Sequence, residues 1–303
     1  MPITTLVVGL GQIGMLYDYN KTNKYLSHAQ SIFKSKNFVL KAGVDTSYNK
    51  RNKFKKKFKK PVFSNITNAF KNCKIDLIII SVPTLASDEI YKEIIKNHII
   101  PKAILFEKPV SYDYKIAKKI FNYCIKEDIK VFVNYNRRYD ISTEIIKKKL
   151  SKNFIGDILK IEVFYKKGLY NSCSHYINYL NIFFPGQRKI KILNKKQNLK
   201  NDILLNFQFI YKKFKIDFKA QKYSHELIKI YGSEGEFVYF TEKDMIFYSD
   251  KKNNKYFIKN NYINGQMNVL NNIYNTLKNK SIPMSTFTDA LESLKYLEKV
   301  KNL

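Results

Sequence analysis

The sequence has no tryptophan, three cysteines and seven prolines, and its 25 acidic residues stand against 55 basic ones. Cys73, Cys124 and Cys173 form an odd set with no close pair. That excludes a disulfide framework and fits a reducing cytoplasm. Arginine is scarce: Arg51, Arg137, Arg138 and Arg188 are the whole set. A surface that clamps phosphates or reads bases uses bidentate arginine, so a formal charge of +30 carried by lysine does not by itself point to nucleic acid. Lysine alongside abundant Asn, Ile, Tyr and Phe is instead the residue usage of an A+T-rich genome. Long apolar runs are missing too. Leu77 to Ile80 is short, its run ends at Pro83, and nothing approaches the roughly 18–20 residues of a membrane-spanning helix. The apolar N-terminus has no basic stretch before it, so no secretory signal is expected.

What is present is enough for about two domains, at roughly 150 residues each, with 45% hydrophobic and 26% charged residues. The densest basic run, Lys50 to Lys60, carries Phe54 and Phe58 four residues apart. It reads as a solvated helix with one buried stripe, with a polyanion site as the rival reading.

Ile3 to Val8 is β-rich and runs directly into Gly9-Leu10-Gly11-Gln12-Ile13-Gly14, a GxGxxG motif with a strand before it and a helix-compatible stretch after it. Gly9 permits the tight turn, Gly11 lets backbone N–H groups approach a pyrophosphate, and Gly14 lets the helix sit close to the strand. A second strand, Phe38 to Val44, ends in Asp45, a carboxylate suited to the ribose hydroxyls of NAD. Lys50 and Arg51 can still attract a 2′-phosphate, so NADP stays open. The spacing from Gly14 to Asp45 exceeds the usual ~20 residues, so the stretch around Tyr17 to Leu26 must lengthen the helix or insert a loop.

Strands at Ile75 to Val82, Ala103 to Phe106 and Lys130 to Val133 alternate with helices at Ser87 to Asn97 and about Ser111 to Glu127. This alternation predicts an α/β chain opening with a doubly wound parallel sheet. Ligands of such sheets bind beyond the carboxyl ends of the strands, where Gly9, Asp45, Pro83, Glu107, Lys108 and Asn134 to Arg138 fall. Farther on, strand-like stretches recur at Ile158 to Tyr165, Ile203 to Ile210, Phe214 to Phe218, Leu227 to Tyr231, Glu236 to Phe240 and Met245 to Ser249. A helix at about Cys173 to Phe184 interrupts them and two more, about Gln266 to Asn279 and Thr286 to Lys299, close the chain.

The GxGxxG start, the Val82-Pro83 strand end, Glu107-Lys108-Pro109, the Asn134 to Arg138 segment, Ser174-His175-Tyr176-Ile177-Asn178 and the Gly232-Ser233-Glu234-Gly235 turn resemble, in that order, the Gfo/Idh/MocA oxidoreductases. The resemblance implies a Rossmann domain, residues 1–134, and a second α/β domain, residues 135–303, built on a large, mostly antiparallel open sheet that also serves as the interface of a homo-dimer or homo-tetramer. It implies NAD(P)-dependent hydride transfer to or from a hydroxyl or keto carbon of a sugar or sugar derivative. Carried over, the proton-handling residues are Lys108 and His175. The cofactor site takes in Gly9, Gly11, Gln12, Ile13, Gly14, Asp45, Ser81, Val82, Pro83, Glu107 and Lys108. The substrate site takes in Lys108, Tyr135, Asn136, Arg137, Arg138, Tyr170, Asn171 and His175. It also implies a cis peptide before Pro109.

The chemistry is consistent with those roles. A lysine at a strand end, near a cofactor that becomes cationic on oxidation, is expected to have a depressed pKa, and imidazole titrates near neutrality. An arginine pair suits an acidic or nucleotide-linked sugar, unless Arg137 or Arg138 simply pairs with Glu107 or Asp140. His28 is expected on the first helix, lining the cofactor end. No two of His28, His98, His175 and His225 have metal-ligand spacing, so no metal is expected. Cys173, two residues before His175, falls on a different helix face from it and is not expected to be a nucleophile.

The sequence departs from the family where it has Asn171 and Asn178 in place of carboxylates and Ser87 in place of a histidine. An amide orients a hydroxyl but takes up no proton at neutral pH. Two alternatives therefore stand beside the enzyme reading: a catalytically degenerate NAD(P)-binding regulator or scaffold, and a basic nucleic-acid-binding protein.

Overall fold

The computed structural model describes all residues except 22–23, 195, 200–201, 222–224, 242–244, 251, 253 and 260–263. Two units separate, Met1–Tyr139 with Ile263–Leu291, and Asp140–Tyr262 with Glu292–Leu303.

In the first unit, β1 (Ile3–Val8), β2 (Phe38–Val44), β3 (Val62–Phe63), β4 (Leu77–Ile80), β5 (Ala103–Phe106) and β6 (Lys130–Val133) form one sheet in the order β3-β2-β1-β4-β5-β6. Every pairing is parallel. This doubly wound order reverses between β1 and β4, and such a reversal opens a crevice beyond the strand ends. The connecting helices are α1 (His28–Lys34), α2 (Tyr48–Phe58), α3 (Ile66–Asn72), α4 (Thr84–Lys96) and α5 (Tyr114–Lys126). Both faces of the sheet are covered, so β4 and β5 read as unbroken apolar runs, Leu-Ile-Ile-Ile and Ala-Ile-Leu-Phe, all buried. The Lys50 to Lys60 run forms α2 and the turn after it. Phe54 and Phe58 are its buried residues, and Ser47 caps its start through Lys50 N–H.

The expected division at residue 134 differs from the observed one, because α8 (Gly265–Leu277) belongs to the first unit. Its Val269, Leu270 and Ile273 are buried in one cluster with Ile3, Val7, Phe38 and Leu77. Sequence order alone placed this helix with its neighbours in the chain; the burial of its apolar face places it with the first sheet.

The second unit is built on β7 (Ile158–Tyr165), β8 (Lys189–Ile192), β11 (Phe207–Ile210), β12 (Lys215–Ala220), β13 (Leu227–Gly232), β14 (Glu236–Phe240), β15 (Met245–Ser249) and β16 (Lys255–Lys259), in the order β16-β15-β14-β13-β7-β12-β11-β8. Only β7 and β12 pair in parallel; the other pairings are antiparallel. Strict alternation marks its two faces. Ile161, Val163, Tyr165, Ile216, Phe218, Ile228, Ile230 and Phe237 are buried on one face, and Lys160, Glu162, Lys219 and Lys229 lie on the other. The remaining α-helices among the described residues are α6 (Ile141–Ser151), α7 (Ser174–Phe183) and α9 (Phe287–Asn302), the last divided between the units at Leu291.

The single strand expected over Ile203 to Ile210 is two: β10 (Ile203–Leu204), which pairs with β9 (Gln197–Asn198), and then β11. Asn206 sits at the break, accepting from Ala220 N–H at 2.7 Å while its own N–H donates to the Asn194 side chain. The edge strands β8 and β16 escaped the sequence reading because lysines dress them. That is a common way to keep an open edge from pairing further.

Candidate functional site: a dinucleotide cavity and the tip of β5

Beyond the ends of β1, β2 and β4 lies a cavity of about 750 Å³ whose walls include Gly9, Gly11, Gln12, Ile13, Asp45, Ser81, Val82 and Pro83. Each glycine has a distinct reason to be there. At Gly9 the backbone has φ +93°, and an added Cβ would come within 2.6 Å of the Ser81 carbonyl group. At Gly14 it would come within 1.9 Å of Gly9 O, so this residue sets the approach of helix to strand. At Gly11 it would meet nothing within 4 Å. A fold does not demand glycine at such an open position; a ligand that approaches the backbone does. The residues therefore fit a dinucleotide, with the backbone of Gly11, Gln12 and Ile13 in the turn after β1 open to its pyrophosphate. Ser81 ties the glycine turn to β4, its hydroxyl donating to Val8 O at 3.0 Å and Gly9 O at 2.8 Å.

Asp45 stands at the end of β2 with little exposure. Its carboxylate accepts from Leu10 N–H at 2.8 Å, Ser47 N–H at 2.8 Å and the Lys50 ammonium at 3.4 Å. Arg51 is turned to backbone, donating to Asp45 O at 2.7 Å and Thr46 O at 2.8 Å. The far wall includes Thr46, Ser64, Asn65, Ile90 and Glu93.

Glu107 and Lys108 do not line that cavity; they follow β5 at its carboxyl end. Lys108 is half-buried and its bond to Pro109 is cis. Glu107 is the centre of a network. Its Oε1 lies 2.7 Å from His28 Nε2 and accepts from Asn134 Nδ2 at 2.6 Å; that same amide also donates to Gln266 Oε1 at 3.2 Å. Lys108 N–H donates to Glu107 Oε2 at 3.3 Å. His28, 1% exposed, is indeed the first residue of α1, but it faces Glu107 and does not line the cavity. Sequence reasoning missed Gln266, which arrives on α8 from the far end of the chain. Nothing local in the sequence marks it.

Tyr135 is buried and Asn136–Tyr139 forms a short 3-10 turn. Arg138 is 8% exposed; it lies 3.2 Å from Asp289 Oδ2 and donates to Met284 O at 3.1 Å. The partners weighed for it in sequence were Glu107 and Asp140; Asp289 comes from 149 positions of sequence beyond Asp140 and was not weighed. Asn136 and Arg137 are half-buried.

Tyr170, Asn171 and His175 belong to the second unit. The expected helix there begins as a π turn, Leu169–Cys173, which leads into α7. Asp202 holds that turn: its carboxylate accepts from Tyr170 N–H at 3.1 Å and Asn171 N–H at 2.9 Å. A second carboxylate, Glu226, accepts from Lys166 N–H at 2.8 Å and from the Ser172 hydroxyl. Both acids were overlooked because neither is near His175 in sequence. Asn178 is fully buried and its amide donates to Ser293 at 3.0 Å. Cys173 is fully buried, and burial, with Asp202 and Glu226 adding to it, pushes its thiol pKa well up, which removes it as a nucleophile. No cluster of His, Cys, Asp or Glu fit to hold a metal occurs among the described residues, and no described helix is long and apolar enough to cross a membrane.

Residues 3–135 match the profile of the Gfo/Idh/MocA family, described as oxidoreductases with an NAD-binding Rossmann fold. An uncharacterised oxidoreductase of Schizosaccharomyces pombe is 24% identical over 101 residues, and the match spans 33% of this chain and 27% of that protein. Among solved structures, a dehydrogenase from Clostridium difficile superposes with a TM-score of 0.78 at 17% identity, covering 100% of this chain and 99% of that one. An oxidoreductase from Agrobacterium radiobacter, solved in complex with NAD+, L-tartaric acid and magnesium, gives 0.77 at 12% identity, covering 98% and 95%. These two likenesses speak for the fold of both units. Over residues 3–135, then, the chain is similar to the Gfo/Idh/MocA oxidoreductases, a family described by its NAD-binding Rossmann fold.

Proposed function

We propose that the protein is an NAD(P)-dependent oxidoreductase acting on a hydroxyl or keto carbon of a sugar or sugar derivative, with an acidic or nucleotide-linked sugar favoured. The observation that carries this reading is the tip of β5, where Glu107, held by His28 and Asn134, anchors the backbone of the half-buried Lys108. The nicotinamide, when bound, supplies or accepts the hydride. Lys108 then has two tasks, polarising the carbonyl oxygen during reduction and receiving the hydroxyl proton during oxidation. His175 is the second proton-handling residue. With amides at Asn171 and Asn178, more of the proton work falls to Lys108. Arg137, Tyr135, Asn136, Tyr170 and Asn171 are the substrate-recognition set, and Arg137 favours a carboxylate or phosphate, whereas Arg138, expected in that set, is paired with Asp289.

We further propose a substrate-binding second domain, a cytoplasmic setting and a homo-oligomer formed through the eight-stranded sheet, in keeping with the absence of paired cysteines. The test is an NADH and NADPH fluorescence titration followed by turnover on neutral, acidic and nucleotide-linked sugars. The unmodified chain should bind NADH and turn over one substrate class, and Lys108→Ala should abolish turnover while leaving NADH binding within about twofold. A chain that binds NADH and turns over no sugar favours the regulatory reading, which the loss of carboxylates at Asn171 and Asn178 supports. Binding to DNA that falls steeply with salt would favour the nucleic-acid reading.

A further inference from the structure

The glycine motif is followed by turns and a short 3-10 helix, Leu16–Asp18, and the chain reaches α1 only at His28. Met15 N–H donates to Gly11 O at 2.9 Å, Leu16 N–H to the same oxygen at 3.0 Å and Tyr17 N–H to Gln12 O at 3.0 Å. The next two carbonyls, Ile13 and Gly14, are not met by the residues that follow Tyr17. They accept from His28 N–H and Ala29 N–H, each at 2.9 Å. In an unbroken helix the carbonyl of Ile13 would accept from residue 17. His28 takes that step, so the start of α1 closes directly onto the glycine turn and residues 17–27 read as an insertion between them. Their eleven positions account for the long spacing from Gly14 to Asp45, which exceeds the usual ~20 residues by about that number.

The inserted segment is anchored in two places. At its neck the fully buried Asp18 carboxylate accepts from Leu26 N–H at 2.7 Å, Ser27 N–H at 3.0 Å and the Ser27 hydroxyl. On its flank Lys57 of the basic helix α2 donates to Tyr19 O at 2.5 Å and Asp18 O at 3.3 Å, and the Tyr19 hydroxyl donates to Lys53 O at 3.0 Å. One member of the lysine run is therefore a strut for the insertion. Tyr17, the first inserted residue, is 53% exposed and shares the wall of the dinucleotide cavity with Gly11, Gln12 and Ile13. A tethered segment thus holds an aromatic ring in water at the place where the pyrophosphate is expected.

We propose that Tyr17, held by the anchored turn of Asp18 and Tyr19, forms a lip of the dinucleotide site and lays its ring against the ribose–pyrophosphate stretch of the bound NAD. The inference rests on the NAD-binding assignment and adds to it a contact that this chain's own insertion supplies. An aromatic ring pre-positioned by its backbone gains contact area at little conformational cost, so its loss should be read directly in affinity.

The experiment is NADH titration of the full chain and of three variants, with thermal unfolding recorded for each. Tyr17→Ala should raise the Kd about tenfold, equivalent to about 1.4 kcal/mol, without moving the melting temperature. Tyr17→Phe should bind within about twofold of the unmodified chain, because the ring is retained. Removal of residues 17–27 joins Leu16 to His28 and should bind as weakly as Tyr17→Ala. Equal affinity of Tyr17→Ala and the unmodified chain would overturn the inference while leaving the NAD assignment intact. An unmodified chain with no measurable NADH binding would overturn both.

Discussion

Neutralising Glu162 is the sharpest test of how the second unit tolerates so much positive charge. Glu162 lies on β7, opposite Asp217 of β12 and Lys229 of β13, and is 8% exposed. Burial raises its pKa, but the ammonium groups of Lys160 and Lys219, each at 2.7 Å, and the Tyr231 hydroxyl at 2.9 Å outweigh burial. Together they hold the carboxyl down at about 2, against 4.5 unperturbed. Because the folded value is the lower one, the stabilisation is present above the unfolded pKa and is lost as pH falls through the folded pKa. Its ceiling is about 3 kcal/mol, the free energy of a fall from 4.5 to about 2. The two lysine side chains are 40% and 39% exposed, so solvent screening brings the expected value to about 1–2 kcal/mol. Urea unfolding of the unmodified chain and of Glu162→Gln should differ by that amount near about pH 7 and converge towards about pH 2. Self-repulsion of a chain at +30 destabilises both proteins in acid and largely cancels in the difference. A gap that stays constant from neutrality to about pH 3 would refute the reasoning, because the effect would then come from shape and not from charge.

The glycine pair gives a second test. Gly11→Ala should leave the melting temperature unchanged, since its Cβ meets nothing within 4 Å, yet weaken NADH binding at least about tenfold. Gly14→Ala should destabilise by about 2–3 kcal/mol in urea unfolding, because its Cβ would lie 1.9 Å from Gly9 O. Asn134→Ala leaves the Glu107 carboxylate one donor short and should cost about 1–3 kcal/mol by the same assay. Lys149 sits 3.8 Å from the Phe154 ring centroid and 4.6 Å from that of Tyr248, so Lys149→Met, which keeps the stem, should cost about 0.5–1 kcal/mol.

Much of this molecule was legible along the chain. The strands Ile3–Val8, Phe38–Val44, Ala103–Phe106, Lys130–Val133 and Ile158–Tyr165 fall where β-branched runs and alternation put them, because strand formation answers to local side-chain pattern. Eight of the expected cofactor residues line one cavity, because a glycine motif at a strand end carries its own geometry. The run of lysines was legible as a helix with a buried stripe, but the role of Lys57 as a strut was not. That role depends on a carbonyl thirty-eight positions away.

The amino-acid order by itself determined the period of each element, the turn the glycines permit and the carboxylate that ends β2, since each depends on neighbours within a few residues. Tertiary structure alone decided that α8 returns to the first sheet, that Gln266 and His28 reach Glu107 and Asn134, that Asp289 meets Arg138, and that His28 and Ala29 close onto the carbonyls of Ile13 and Gly14. Those partners are separated by long stretches of chain, and what selects them is the burial of an apolar face or the pairing of a desolvated polar group, neither of which leaves a mark in local sequence.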